Sequence, residues 1–184
     1  MDILEKSSEE LESLREAGLR LIYLGLESGD DDILREVGKG CGSREMIRAC
    51  RKAMNAGINM SITVVTGLGG KEKSYQHAKN TAKVLNEIAP DYTAFLSLIP
   101  VPGTSLHTKI RKGIFKPLDQ MEHLRELRWI VEDLDYRTVF RANHASNYLP
   151  LKGDLPEDRE KILKLIDYAI SHPEILKPEH LRAL

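Results

Sequence analysis

Apolar positions along this chain fall into two alternating periods. A short, nearly all-apolar run stands at Arg20–Leu26 (RLIYLGL), followed by β-branched and apolar-rich runs at Asn59–Thr66 (NMSITVVT) and Tyr92–Ile99 (YTAFLSLI) and a briefer one at Thr138–Ala142 (TVFRA). Runs of this length and make-up predict strands buried on both faces. The segments between them carry apolar residues at helical spacing. Ser7–Ala17 predicts a helix, with capping-box spacing from Ser7 to Glu10 and a stop at Gly18. Asp30, Asp31 and Asp32 suit another first turn. Ser43 is a candidate cap for a helix ending near Gly57, whose stripe is Met46, Ile47, Cys50, Ala53 and Met54. Helices are also expected over Ser74–Ile88, over about Pro117–Leu134, and from Pro156 until Pro173 stops the last one. Residues 171–184 are expected to form a loosely held tail.

The resulting order, αβαβαβαβα, predicts an α/β fold: a parallel sheet with right-handed crossovers and helices on the outside. Four strands make about half of an eight-stranded barrel, so a partial (β/α) barrel is expected, with an open doubly wound sheet as the structural rival. With 184 residues and no internal linker, the chain reads as a single domain, 1–184.

A formal net charge of −1 argues against a general nucleic-acid binder. No run approaches the roughly 20 apolar residues of a membrane helix, and the acidic start MDILEKSSEE lacks the features of a signal peptide. A cytoplasmic location is the expectation. Cys41 and Cys50 are too few for a disulfide framework or a cysteine-held cluster, and no metal site is expected.

In parallel α/β folds ligands bind at the carboxyl ends of the strands. Those ends read Gly25–Gly29 (GLESG), Thr66–Gly70 (TGLGG), Pro100–Thr104 (PVPGT) and Asn143–Asn147 (NHASN). Common motifs fail on one or two residues each, the phosphate loop also lacking Ser or Thr where Glu72 stands. A nucleophile elbow would need Ser where Glu27 stands, and a phosphate loop ending at Lys71 would need Gly where Val65 stands. A dinucleotide fingerprint from Gly67 would need Gly at Glu72. Glu27 directly follows a buried strand, where a carboxylate is costly to desolvate without a partner. Two readings stand: a solvated loop acid, or a group that meets a ligand's ammonium or hydroxyl. Lys39, between Gly38 and Gly40, is either a surface lysine or one that swings to the same face. His77, His107, His123 and His144 show no metal spacing and read as surface or packing residues, with His144 of most interest because it lies in a strand-end loop.

These segments resemble a family. Leu24–Asp30 followed by Ile33-Leu34 and Lys39-Gly40, Ala56–Ile58 before Val64–Glu72, and Leu98–Leu106 resemble, in order, the fourth-, fifth- and sixth-strand signatures of radical S-adenosylmethionine (radical SAM) enzymes. The resemblance runs from about Leu14 to Ile170. The stretch Arg141–Pro150, followed by Lys152-Gly153, looks like one uncharacterised bacterial branch of that superfamily.

The resemblance implies a partial six-stranded barrel, a [4Fe–4S] cluster and S-adenosylmethionine. In the family the cluster donates an electron, the sulfonium bond breaks, and a 5′-deoxyadenosyl radical takes hydrogen from substrate. Carried over by position, Glu27 and Ser28 would contact the methionyl or ribose part of the cofactor, and Lys39 its carboxylate. Thr66, Gly67 and Leu68 would lie beside the adenine, with Pro102, Gly103 and Thr104 bordering the adenine or substrate. Asn143, His144 and Asn147 would lie on the substrate side. No residue here is expected to be catalytic in its own right.

The family's C-x-x-x-C-x-x-C segment is missing from these residues. The expectation is therefore a fragment of a longer enzyme, of iron–sulfur oxidoreductase type, that binds neither cofactor and is inactive alone. Its expected partner is the other half of the barrel or another copy of itself, because an unpaired strand edge and an uncovered sheet face invite association. Two alternatives are a non-catalytic α/β module binding a small molecule or subunit, and a hydrolase or lyase half-barrel using Glu27 and His144 as acid and base.

Overall fold

A computed structural model describes residues 2–183. Two helices open the chain, α1 (Asp2–Glu5) and α2 (Ser8–Glu16), the second capped reciprocally by Ser7 and Glu10 as its spacing predicts. There follow β1 (Leu21–Glu27), α3 (Asp31–Glu36), α4 (Ser43–Asn55), β2 (Asn59–Thr66), α5 (Gly70–Ile88), β3 (Tyr92–Ser97), α6 (Ser105–Arg111), α7 (Gln120–Asp133), β4 (Thr138–Ala142), β5 (Leu151–Leu155) and α8 (Arg159–Ser171), then short 3-10 turns at Pro173–Ile175 and Glu179–Leu181.

The strands lie side by side in chain order as one five-stranded sheet. β1 to β4 are parallel, with Leu24 opposite Ile62 and Ile62 opposite Thr93. β5 runs antiparallel to β4, pairing Phe140 with Gly153. The all-parallel expectation is corrected on this point. LKGDL carries two charges and a glycine, and a strand of that make-up belongs at a sheet edge. The outer side of β5 is closed by its own turn: the Asp154 amide donates to Asp158 Oδ2 at 3.0 Å and its carbonyl accepts the Asp158 amide at 2.8 Å.

One sheet face is packed under helices. Leu26, Met60, Ile62, Val64, Phe95 and Phe140 are fully buried there with Met46, Cys50 and Ala53 of α4, Ala78 and Leu85 of α5, Ile130 and Val131 of α7 and Ile162 and Ile166 of α8. Residues of opposite parity, Tyr23, Gly25, Thr63, Val65, Ala94, Leu96, Val139 and Arg141, stay partly or fully accessible, Tyr23 at 76%. This second face is open.

Two helix expectations shift. α6 lay in what reads as a Pro/Gly loop; none of its residues is buried, so it leaves no apolar stripe to find, and Thr104 starts it by capping the His107 amide. Ser43 is the first residue of α4 and not its cap; its amide instead donates to Asp31 Oδ1 at 2.7 Å.

The tail is held down. Leu176 is buried, the Lys177 amide donates to the Tyr148 carbonyl at 2.9 Å, and Arg182 donates to the carbonyls of Ser146 and Leu98 while stacking on Tyr148. A loose tail would show none of these ties. Leu184 lies outside the described residues.

Candidate functional site

β1 and β2 are adjacent and parallel, with Glu27 opposite Val64, so Glu27 and Gly67 emerge on the same rim of the sheet. Glu27 has φ +63°, a left-handed conformation rare for a residue with a side chain. The strand register shifts at this point, between Gly25 and Glu27. The kink folds the Glu27 carboxylate back over Gly25, where a Cβ would stand 2.2 Å from Oε1. Lys39 reaches the same oxygen at 3.1 Å. α3 ends in a turn through Gly38 and Gly40, both at positive φ, which returns Lys39 toward β1. The pair is about one-quarter exposed on each side chain, 26% and 29%, so a ligand can reach it.

The other residues singled out from the sequence divide in two. Ser28, Thr66 and Asn147 are buried, and their side chains are already engaged. Ser28 Oγ accepts the Asp30 amide at 3.0 Å and meets His77 Nδ1 at 2.8 Å. Thr66 Oγ1 donates to the Leu96 carbonyl and lies 3.2 Å from His123 Nδ1. Asn147 ties β3 to the loop after β4, donating to the Phe95 carbonyl and accepting from Ser97 Oγ. For Ser28 and Thr66, the backbone is what remains for a ligand. Leu68 is half-buried, whereas Pro102, Gly103, Thr104, Asn143 and His144 are exposed on the rim. His144 lies in the loop after β4, three strands from Glu27, or about 14 Å at ordinary strand spacing. That separation removes the acid–base pairing of Glu27 with His144.

Beneath the rim Glu126, which the sequence did not single out, lies beside His77, which it offered as a surface or packing residue. Gly67 has φ +85°, and its amide donates to Glu126 Oε1 at 2.6 Å. Glu126 Oε2 accepts from Ser74 Oγ at 2.5 Å, and His77 Nε2 lies 3.6 Å from Oε1. His77 and Glu126 are both fully buried. Burial pushes Glu126 up to about 7, against the bonds from Ser74 and Gly67 that favour its charge. Burial pushes His77 down to about 4, opposed by the charge of Asp30 and the Val65 carbonyl. His123, which packs against Gly67, is brought down to about 4 by burial and by the charge of Arg182. The available signal was position: His77 adjoins Ala78 in the buried stripe of α5, and Glu126 stands between Leu124 and Leu127 in that of α7.

The sequence model described as the radical SAM superfamily matches residues 3–85, a span that holds Glu27, Lys39 and Gly67. Over that span the chain is similar to radical SAM proteins. It is 31% identical over 109 residues to the heme chaperone HemW of Bacillus subtilis, covering 58% of this chain and 28% of that protein. A probable threonylcarbamoyladenosine tRNA methylthiotransferase of Methanocaldococcus jannaschii is 28% identical over 117 residues, covering 60% and 27%. The chain thus spans less than a third of these curated relatives. Among solved structures, the Elp3 protein of Methanocaldococcus infernus superposes with a TM-score of 0.64 at 18% identity, covering 92% of this chain and 40% of that one. That likeness shows the fold, a part of a barrel.

Full-length radical SAM proteins carry S-adenosylmethionine and a [4Fe–4S] cluster. The rim fits the first: the Glu27–Lys39 pair seated over Gly25 offers one negative and one positive group, the complement of an amino acid's ammonium and carboxylate. The cluster does not fit these residues. Cys50 is fully buried and burial pushes its thiol up to about 12, which leaves Cys41 as the one accessible thiol in the sequence. Among the described residues no group of three or more His, Cys, Asp or Glu could hold a metal ion. No helix among them is long and apolar enough to cross a membrane.

Proposed function

We propose that this chain forms the S-adenosylmethionine-facing part of a radical SAM enzyme. The reading rests on one observation: Glu27, held at φ +63° at the end of β1, lies over Gly25 and pairs with Lys39 on an accessible rim. A methionyl ammonium would take the Glu27 carboxylate and a methionyl carboxylate the Lys39 ammonium, so the internal pair is exchanged for two matched ones. The backbone from Thr66 to Leu68 would border the adenine, and Pro102–Thr104 with Asn143 and His144 would face the substrate. When bound together, the cofactor and a cluster supply hydrogen abstraction from substrate. The cysteines for that cluster are not among these residues, so the chain alone is inactive in reductive cleavage.

The sequence alone leads to the expectation that the isolated chain binds neither cofactor; the accessible Glu27–Lys39 pair supports weak binding of S-adenosylmethionine instead, and titration of this chain at millimolar ligand, followed by amide NMR, tests it. Shifts confined to residues 25–28, 39 and 66–68, weakened in Glu27→Ala, are expected. Shifts elsewhere, or none, overturn the assignment.

The reading as a non-catalytic binding module draws support from the same misfit of the cluster. It predicts equally strong binding by adenosine and by other small molecules that lack the methionyl group.

A further inference from the structure

Gly67 and Ser28 sit at the ends of adjacent strands, and below the sheet they are joined by side chains from two helices. On one side the Asp30 amide donates to Ser28 Oγ at 3.0 Å and that oxygen meets His77 Nδ1 of α5 at 2.8 Å; on the other the Gly67 amide donates to Glu126 Oε1 at 2.6 Å and Ser74 Oγ, also of α5, to Glu126 Oε2 at 2.5 Å, with His77 Nε2 standing 3.6 Å from Glu126 Oε1, beyond hydrogen-bond reach. Because Ser28 Oγ already accepts the Asp30 amide, its own hydrogen is free to point at His77 Nδ1. Either atom of that pair can be the donor, and the other ring nitrogen, Nε2, faces Glu126. Nε2 is buried and has no hydrogen-bond partner. At the other end, the positive φ of Gly67 turns its amide into the helix layer, where a buried N–H must be met.

Packing alone does not account for this choice of residues. An apolar pair of similar volume stabilises a core as well as or better than a buried ionisable pair. What the polar groups add is a fixed distance between two turns, each tied to α5: the one carrying Glu27 through His77, and the one carrying Gly67 through Glu126 and Ser74. We infer that His77 and Glu126 are positioning residues, locking the β1–α3 and β2–α5 turns into one rigid seat for the cofactor. The inference rests on the cofactor site proposed above and assigns no contact between either residue and the ligand.

The test compares S-adenosylmethionine affinity and melting temperature for this chain and its Glu126→Ala, Glu126→Gln, His77→Phe and Glu27→Ala variants. Glu126→Ala is expected to weaken binding about tenfold, the effect of losing one charge-assisted link of roughly 1.4 kcal/mol. Glu126→Gln restores most of that affinity, because its amide oxygen still accepts from Gly67 and its N–H reaches Ser74. His77→Phe weakens binding while the melting temperature holds or rises. Variants that lose melting temperature but bind as tightly as the parent, while Glu27→Ala binds weakly, overturn the positioning role and leave the cofactor site standing. Absence of binding by every form, the parent included, overturns both.

Discussion

The carboxylate of Glu27 occupies the space that a side chain at Gly25 would need: a Cβ there would lie 2.2 Å from Glu27 Oε1 and 3.3 Å from Lys39 Nζ. Gly25 itself has no positive φ, so alanine is allowed by the backbone and excluded only by the carboxylate. Gly25→Ala is expected to expel the Glu27 side chain and weaken S-adenosylmethionine binding about tenfold. The melting temperature should change little, since the position is half exposed. Calorimetric titration beside a thermal melt separates the two effects; unchanged affinity would show that the seat is not used.

Gly67 presents the opposite case. Its φ is +85° and a Cβ would stand 2.4 Å from His123 Cε1. Gly67→Ala is expected to destabilise the chain by about 2 kcal/mol through strain and clash together. Adding His123→Ala should recover the clash but not the strain. A double mutant as unstable as the single one by chemical denaturation would assign the whole loss to the backbone.

Acid stability follows from the buried groups. His77 and His123 have folded pKa values of about 4, below 6.5, so stability present above pH 6.5 is lost as pH falls toward 4. Glu126 opposes them. Its folded value of about 7 lies above 4.5, so its contribution is full below pH 4.5 and lost as pH rises toward 7. With two histidines against one glutamate, stability is expected to rise between pH 4.5 and 6.5. Glu126→Gln removes the opposing group and should steepen that rise; urea melts across the window measure it.

Arg182 stacks on Tyr148 at 4.1 Å and pairs with Glu179, which also accepts the Tyr148 hydroxyl at 2.6 Å. Arg182→Ala is expected to release the tail and destabilise the chain by about 2 kcal/mol. Hydrogen exchange should then quicken over residues 173–183 and stay unchanged in α4.

How far the sequence speaks for itself depends on what each segment buries. β2 and β4 are bounded as their apolar runs indicate, because both faces or one whole face lie in the core. β5 and α6 were invisible for the converse reason: one is a charged edge strand and the other a surface helix with no buried residue. At the site, Glu27 and Lys39 could be read from their placement after a buried strand and between two glycines. That Ser28, Thr66 and Asn147 face inward could not, since their engagement depends on His77, His123 and Ser97, each far away along the chain. Glu126 was hidden by its surroundings: a lone acid inside an apolar stripe looks like a surface residue until the turned amide of Gly67 is seen.

Tyr23, 76% exposed on the open face beside the free edge of β1, is the residue we propose to drive association of this chain with another copy or with a complementary half. Tyr23→Ser is expected to lower the light-scattering mass at tens of micromolar. A parent chain already monomeric there would end that proposal.

The turn that wraps β5 gives the sheet a direction of growth. With Asp154 engaged by Asp158 on one flank, the edge of β1 is the more open place for an additional strand to dock. Docked there, it would lie next to the Glu27 kink, and whatever completes the barrel would also decide how wide the entrance to the cofactor seat becomes.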